Sequence, residues 1–228
     1  MISSINRSSV PWTRRLRLAA LAMLSICSAA TASRADGPCE REMARAARSH
    51  GVPLGVLYAV GLSETGRKGV LHPYALNIDG RTLRAADLRQ AVAEFNGARS
   101  RGAKLVDLGC MQINHLYHGA QFSSVEAMHD PVRNVDYAAR FLKELRAREG
   151  NWTMAVARYN AGPNNVVAQR RYVCGVIGHL VASGFGSWTD KARAFCATRD
   201  SDSTAGRGAS LTQAKAPLMP STQNGDER

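Results

Sequence analysis

The sequence predicts a mainly α domain with one small β-hairpin. Apolar and small residues recur every three or four positions through the middle of the chain, which is the period of amphipathic helices. The pair Asp79-Gly80 separates two short β-type runs and is a strong hairpin signal. Beyond Cys196 the residues are mostly Ser, Thr, Gly, Gln, Pro and isolated charges, which cannot bury enough apolar surface to order themselves. We therefore expect a helical domain over residues 36–196 and a disordered tail over 197–228.

The first 35 residues have the pattern of a secretory signal peptide. Four arginines lie near the start, the stretch Leu18–Ser33 is uncharged, and small residues lead to Ala35. An uncharged stretch of this length is short for a membrane span, which needs about 20 apolar residues. Cleavage after Ala32 or after Ala35 fits the pattern. We expect an exported, periplasmic protein with no stable membrane span.

The charge favours a polyanionic partner. The formal net charge of +12 falls to +7 without residues 1–35, which contain five arginines and no acidic residue. Nucleic acid, acidic lipid and the carboxylate-bearing cell wall all fit a basic surface. Export and the absence of a base-reading motif argue against nucleic acid, so we expect no nucleic-acid partner. The basic residues are scattered, and most of them fit a solvated helical face.

Two helices are predicted at the start of the domain, and the second ends near a candidate catalytic glutamate. The first runs from Cys39 to His50 and ends at a glycine, and Pro53 fits the first turn of the second. Four residues of the second helix share one face: Leu57, Val60, Gly61 and Glu64. A carboxylate on an apolar face loses hydration, so it can hold a proton near neutrality and deliver it to a leaving oxygen. Without other motifs, an ordinary surface role at the helix end would be the better interpretation.

Capping residues, glycines and prolines bound the remaining predicted elements. In order, these are a hairpin of 74–78 and 81–83, a helix over 85–97, a strand at 104–106, a helix from Asp130 to Gly150, a helix from Asn151 to Gly162, and one or two helices over 164–182.

Three ordered motifs accompany the glutamate. They are Ser63-Glu64-Thr65-Gly66, Gly109-Cys110-Met111-Gln112-Ile113-Asn114, and Arg158-Tyr159-Asn160-Ala161-Gly162. Together they resemble the soluble lytic transglycosylase (SLT) domain, and especially the small lytic transglycosylases that accompany conjugation, type IV secretion and type III secretion systems. The resemblance covers residues 39–185, and three ordered motifs are far more specific than one. It implies an α-rich lysozyme-like fold, peptidoglycan glycan strands as substrate, a single catalytic glutamate and no cofactor.

The resemblance also implies roles around the glutamate. Tyr159 is expected to lie beside the catalytic carboxylate and orient it. Gln112 and Met111 are expected to line the groove, although a core position suits Met111 equally well. Thr65 stands where the family usually has serine, and its hydroxyl fits either a helix end or a bond to the glutamate. Asn160 is expected to satisfy loop backbone, with a secondary ligand role.

Four cysteines remain in the exported chain, and Cys110 replaces the Leu or Pro usual in the family. An even count in an exported protein favours disulfides, and four cysteines permit three pairings. Cys39 and Cys196 bracket the folded region, whereas Cys110 and Cys174 lie inside it. We therefore expect those two pairs. No cysteine pair has the short spacing of a zinc site.

A second carboxylate would suit ordinary glycoside hydrolysis, and Asp107 is the nearest candidate. The resemblance argues that Asp107 has a structural loop role. With one carboxylate, Glu64 is expected to protonate the leaving oxygen and then accept a proton from the muramic acid O6 hydroxyl, which closes a 1,6-anhydro ring. A tethered nucleophile has a high effective concentration, so no second carboxylate is needed.

The leading prediction is an exported lytic transglycosylase that opens the wall locally for a secretion or conjugation apparatus. Two alternatives remain: a hydrolysing muramidase on the same fold, and a non-catalytic wall-binding assembly module. A nucleic-acid-binding role rests on charge alone. His115 and His118 have no third ligand at suitable spacing, so two surface histidines are expected rather than a metal site.

Overall fold

The computed structural model describes residues 37–197. In chain order, their elements are α1 (Pro38–His50), α2 (Leu54–Thr65), β1 (Ala75–Ile78), β2 (Arg81–Arg84), α3 (Leu88–Ser100), β3 (Val106–Leu108), β4 (Ile113–Asn114), α4 (His115–His118), a 3-10 turn (Gly119–Gln121), α5 (Val125–His129), α6 (Pro131–Glu149), α7 (Trp152–Asn160), α8 (Val166–Ala182) and α9 (Asp190–Ala197). The helices and one small sheet confirm the predicted mainly α, lysozyme-like fold. The expected signal peptide and C-terminal tail lie outside the described residues.

Helix ends follow the capping signals of the sequence. The Asp130 side chain accepts a hydrogen bond from the backbone N–H of Val132, and Gly150 ends α6 in a left-handed conformation. The Asn151 side chain accepts from the backbone N–H of Met154 at the start of α7. Within residues 37–197, no helix combines the length and hydropathy needed to cross a membrane.

The hairpin turn forms at Asp79-Gly80, as predicted. Both residues have positive φ, 47° and 92°, which a two-residue type I′ turn requires. β1 pairs with β2 on one side and with β3 on the other, and β3 pairs with β4. The four strands form one antiparallel sheet in the order β2-β1-β3-β4.

The helix α2 lies at the centre of the core. It is apolar on nearly all sides, which is typical of a buried helix. Gly61 allows close packing, because a Cβ there would collide with the side chains of Met43 and Leu71. α8 packs on α2 and α7, and α6 packs on α1 and α7. This packing fixes where the C-terminal end of α2 lies.

Besides the 3-10 turn, sequence analysis did not predict one strand and three helices: β4, α4, α5 and α9. They have two, four, five and eight residues, which is too short for a periodic pattern to emerge.

The expected cysteine pairing is wrong. The disulfides join Cys39 to Cys110 and Cys174 to Cys196, with Cα–Cα distances of 5.8 and 5.7 Å. The first ties the start of α1 to the loop between β3 and β4, and the second ties α8 to α9, which packs on it. Order along the chain misled the prediction, because helix packing decides which cysteines come within bonding distance.

Candidate active site

A cleft of about 430 Å³ opens between the sheet, the C-terminal end of α2 and α8. Most of the residues that line it have polar or charged side chains: Ser63, Glu64, Asn77, Gly80, Thr82, Asp107, Gln112, Asn114, Asn160, Ala168, Arg171, Tyr172, Gly175 and His179.

One row of the sheet forms a polar wall of the cleft. Thr82, Asn77, Asp107 and Asn114 are register partners across the four strands, and all four line the cleft. The neighbouring row is apolar and consists of Leu83, Leu76, Leu108 and Ile113. Successive side chains of a strand point to opposite faces, so the alternation puts one row in the core and the other in the cleft.

Glu64 occupies the last turn of α2 and is half-buried in the cleft. The hydroxyl of Tyr172, on α8, donates a hydrogen bond of 2.7 Å to its Oε1. Burial and the negative charge of Glu64 hold the pKa of Tyr172 well above its ordinary value. The phenol therefore keeps its proton and remains a donor to the carboxylate.

Tyr159 has a different partner from the expected one. Its side chain is 2% exposed, and its hydroxyl donates to the backbone carbonyl of Met111 at 2.8 Å. Burial and then the charge of Glu64 raise the pKa of Tyr159 well above its ordinary value, so the ring lies within electrostatic reach of the carboxylate. A phenol has one proton to donate, and here the Met111 carbonyl receives it. The hydrogen bond expected from Tyr159 comes instead from Tyr172.

Sequence analysis did not single out Tyr172. It lies outside the three motifs, and no local pattern in α8 marks it as a site residue. The packing of α8 on α2 is what brings it to the glutamate.

A buried asparagine holds the loop between β3 and β4. Asn134 of α6 donates to the carbonyls of Leu108 and Met128 at 2.9 and 2.7 Å and accepts from the backbone N–H of Met111 at 2.8 Å. Gly109 has a φ of 81°, and a Cβ there would lie 2.5 Å from the Asn134 amide nitrogen. Glycine is therefore required at this position.

The second motif divides between cleft and core. The amide nitrogen of Gln112 donates to the carbonyls of Ala75 and Gly109 at 3.1 and 3.0 Å, so one bond holds the loop against β1 and the other ties the loop to itself. Gln112 also lines the cleft. Met111 is fully buried and belongs to the core instead of lining the groove.

Thr65 anchors the end of α2. Its hydroxyl donates to the carbonyl of Cys110 at 3.0 Å and accepts from the backbone N–H of His72 at 3.3 Å. Its proton therefore goes to the loop and not to Glu64. Together with the Cys39–Cys110 disulfide, this bond fixes the loop beside the C-terminal end of α2.

Asp107 and Asn160 both line the cleft. The Asn114 amide donates to Asp107 Oδ1 at 2.7 Å, which links β4 to β3. Asn160 is the last residue of α7.

The two histidines differ from each other. His115 packs against the Phe95 ring, and His118 is 3% exposed with its Nδ1 2.7 Å from the Tyr137 hydroxyl. The prediction of a surface position is therefore wrong for His118. Residues 37–197 contain no group of three or more His, Cys, Asp or Glu side chains arranged to hold a metal ion.

A family model described as the Transglycosylase SLT domain matches residues 45–175, which is more than half of the chain. The match includes Glu64, the loop between β3 and β4, α7 and Tyr172. No curated protein and no solved structure gives a significant match. SLT domains act on the cell wall, and the two disulfides fit the extracytoplasmic location that this implies. The chain belongs to the SLT transglycosylase family, the peptidoglycan lytic transglycosylases, which are lyases.

Proposed function

We propose that Glu64 is the single acid–base group of an exported lytic transglycosylase that cleaves the β-1,4 bond between MurNAc and GlcNAc. The observation that carries this proposal is the Glu64 carboxylate in the polar cleft, held by the Tyr172 hydroxyl at 2.7 Å. The family match supports it, since members cleave peptidoglycan.

The proposed reaction consumes no water. Glu64 donates its proton to the leaving O4 as the bond from C1 to O4 breaks. The resulting carboxylate then takes the proton of the muramic acid O6 hydroxyl as O6 bonds to C1. The products are a 1,6-anhydroMurNAc end and a free GlcNAc O4 hydroxyl, and Glu64 returns to its protonated form. The substrate's own N-acetyl group is available to stabilise the cationic centre.

Hydrolysis by the same cleft is the second candidate, because Asp107 lines it together with Glu64. A second carboxylate can activate water in place of O6. Against this role, Asp107 already accepts the hydrogen bond from Asn114 that links β4 to β3. A non-catalytic wall-binding module remains the third candidate, and the carboxylate held in the cleft argues against it.

One pair of variants tests these candidates. Glu64→Gln keeps size and polarity but cannot cycle a proton, so release of muropeptides from sacculi should fall by at least about 10²–10⁴-fold. Asp107→Asn is the matched control on the opposite wall and should keep most of the activity. Mass spectrometry of the products should show anhydromuropeptides, and circular dichroism should show both variants folded. Full activity in folded Glu64→Gln would refute the proposal, whereas hydrated products and an inactive Asp107→Asn would favour a two-carboxylate muramidase.

We also propose that residues 1–35 direct export to the periplasm and are removed, and that the enzyme opens the wall for a conjugation or secretion apparatus. The signal-like pattern supports the first part and the resemblance to the small transglycosylases of such machines supports the second. Amino-terminal sequencing of periplasmic protein tests export, with Met1 at the start as the contrary result. Loss of conjugation or secretion on deletion, restored by wild type but not by Glu64→Gln, tests the second part.

A further inference from the structure

The α8 wall of the cleft differs in charge from the sheet wall. The residues of α8 that line the cleft are Ala168, Arg171, Tyr172, Gly175 and His179, whose spacings put them on one face of the helix. Among the residues that the structure describes, Arg171 is the only lysine or arginine that lines the cleft. The wall opposite carries the amide and hydroxyl groups of the polar sheet row together with the Asp107 carboxylate, and these groups suit neutral sugar hydroxyls and N-acetyl groups.

Arg171 is exposed, and its side chain has no ion pair or hydrogen bond with any other residue of 37–197. Other arginines are paired within the fold: Arg158 lies 3.1 Å from Glu149, and Arg140 lies 3.2 Å from Asp136. A guanidinium keeps its charge at every relevant pH and offers donors in a planar fork that matches a carboxylate. One wall of the cleft therefore presents to solvent a guanidinium that can bind a carboxylate.

Space for a ligand exists beside this arginine. Gly175 lies one helical turn beyond Arg171, and a Cβ added there would meet no heavy atom within 4 Å. Its backbone does not require glycine, because its φ is not positive. The missing side chain thus leaves a gap in the wall between Arg171 and His179.

The chemistry of the proposed substrate identifies which of its groups Arg171 can bind. Where the lactyl groups of muramic acid are amide-linked to stem peptides, the glycan strand itself is neutral, and the negative charges belong to the carboxylates of those stems. We propose that Arg171 binds a stem-peptide carboxylate beside the cleaved bond, so that strands with charged stems are preferred over strands that lack these carboxylates. This inference rests on the proposed function and adds a specificity-determining residue to the same cleft.

The test compares three forms of one substrate, uncrosslinked glycan strands with stem peptides. The second form has its stems removed by an N-acetylmuramoyl-L-alanine amidase, and the lactyl carboxylates that this hydrolysis exposes are then amidated with methylamine. The third form keeps its stems but has their carboxylates amidated with methylamine, which nearly preserves size. For the wild type, kcat/KM for the charged form should exceed that for the other two by about tenfold, as expected for a charge-assisted hydrogen bond. In Arg171→Gln this preference should fall to within about twofold of unity.

Arg148→Gln is the matched control. Arg148 is an exposed arginine of α6 that does not line the cleft, so this variant removes the same charge from elsewhere. It should keep the wild-type preference for charged stems. If Arg148→Gln and Arg171→Gln lost this preference equally, the overall charge of the protein, and not Arg171, would account for it. The inference would also be overturned if the wild type showed a kcat/KM ratio near one between charged and uncharged forms, or if Arg171→Gln kept the wild-type ratio. In either case, release of anhydromuropeptides would still support the proposed function. No release from any of the three forms would overturn the proposed function itself.

Discussion

The hydroxyl of Tyr172 on α8 lies 2.7 Å from Oε1 of Glu64 on α2, and 108 residues separate the two in sequence. The contact depends on the packing of α8 against α2, so the orientation of the carboxylate is coupled to the position of a helix in another part of the chain. Tyr159, inside a family motif, instead holds the Met111 carbonyl. The two tyrosines therefore support the site in different ways, and their substitutions should have different effects.

Tyr172→Phe should lower kcat for muropeptide release by about 10–100-fold, because a hydrogen bond to a charged group contributes about 1.5–3 kcal/mol. In the wild type the bond from Tyr172 favours the charged form of the Glu64 carboxylate. Its loss should therefore move the pH optimum of kcat upward. A pH series of initial rates measures both effects. An unchanged rate and pH profile would show that Tyr172 does not position Glu64.

Tyr159→Phe should act mainly on stability. The substitution leaves the buried Met111 carbonyl without the phenol donor, which should cost about 1–3 kcal/mol of unfolding free energy in urea. Its pH optimum for kcat should stay close to that of the wild type. If Tyr159→Phe moved the optimum as far as Tyr172→Phe does, Tyr159 would share the positioning role.

The two disulfides should differ in their contribution to stability. Cys39 and Cys110 are 71 residues apart and both fully buried, whereas Cys174 and Cys196 are 22 residues apart and half-buried. Loop-closure entropy predicts losses of about 4 and about 3 kcal/mol for the respective double Cys→Ala variants. Replacing the fully buried Cys39 and Cys110 also removes packing contacts, which widens the difference in unfolding free energy between the two variants. Urea unfolding of both variants beside the wild type measures it, and a larger loss at Cys174–Cys196 would contradict the prediction.

Stability should fall as the pH drops below about 6.5, partly because of His129. Burial lowers the pKa of His129 from its usual 6.5, its Nδ1 lies 3.1 Å from the Pro73 carbonyl, and its Nε2 is buried without a partner. With a lower pKa in the folded state, the unfolded chain binds the proton first, so acid favours unfolding. The loss from this one group can reach about 1.4 kcal/mol per pH unit until its folded-state pKa is passed.

The variant His129→Gln measures how much of the acid-induced loss of stability comes from His129. It should be less stable than the wild type at pH 7.5 but lose less stability between pH 7.5 and 5. Burial lowers the pKa of His72 and His115 as well, and both remain in the variant as a common background. Parallel stability curves for the two proteins would exclude His129 as a source of the acid sensitivity.

Two glycines of α8 form a matched pair. A Cβ at Gly175 or at Gly178 would meet no heavy atom within 4 Å, so alanine at either position should stabilise the helix by about 0.5–1 kcal/mol. Gly175 lines the cleft and Gly178 does not. Gly175→Met should therefore raise KM for glycan strands, whereas Gly178→Met should leave KM unchanged. Equal KM values in the two methionine variants would show that the gap at Gly175 is not used.

Local signals in the sequence were sufficient for much of the fold. The Asp79-Gly80 turn and the caps at Asp130 and Asn151 form as predicted, because each depends on residues within a few positions of one another. Short elements such as α4 and β4 escaped, since too few residues carry their pattern. The motifs also led to the right family.

Long-range relationships needed the tertiary structure. The sequence by itself determined the helical class, the hairpin, the glutamate at the end of α2 and the family. Only the packing of helices decided that Cys39 bonds Cys110, that Tyr172 reaches Glu64, and that Asn134 holds the loop carrying Met111. The physical reason is range: caps and turns depend on the backbone within a few residues, whereas these contacts join segments 71, 108 and 23 residues apart.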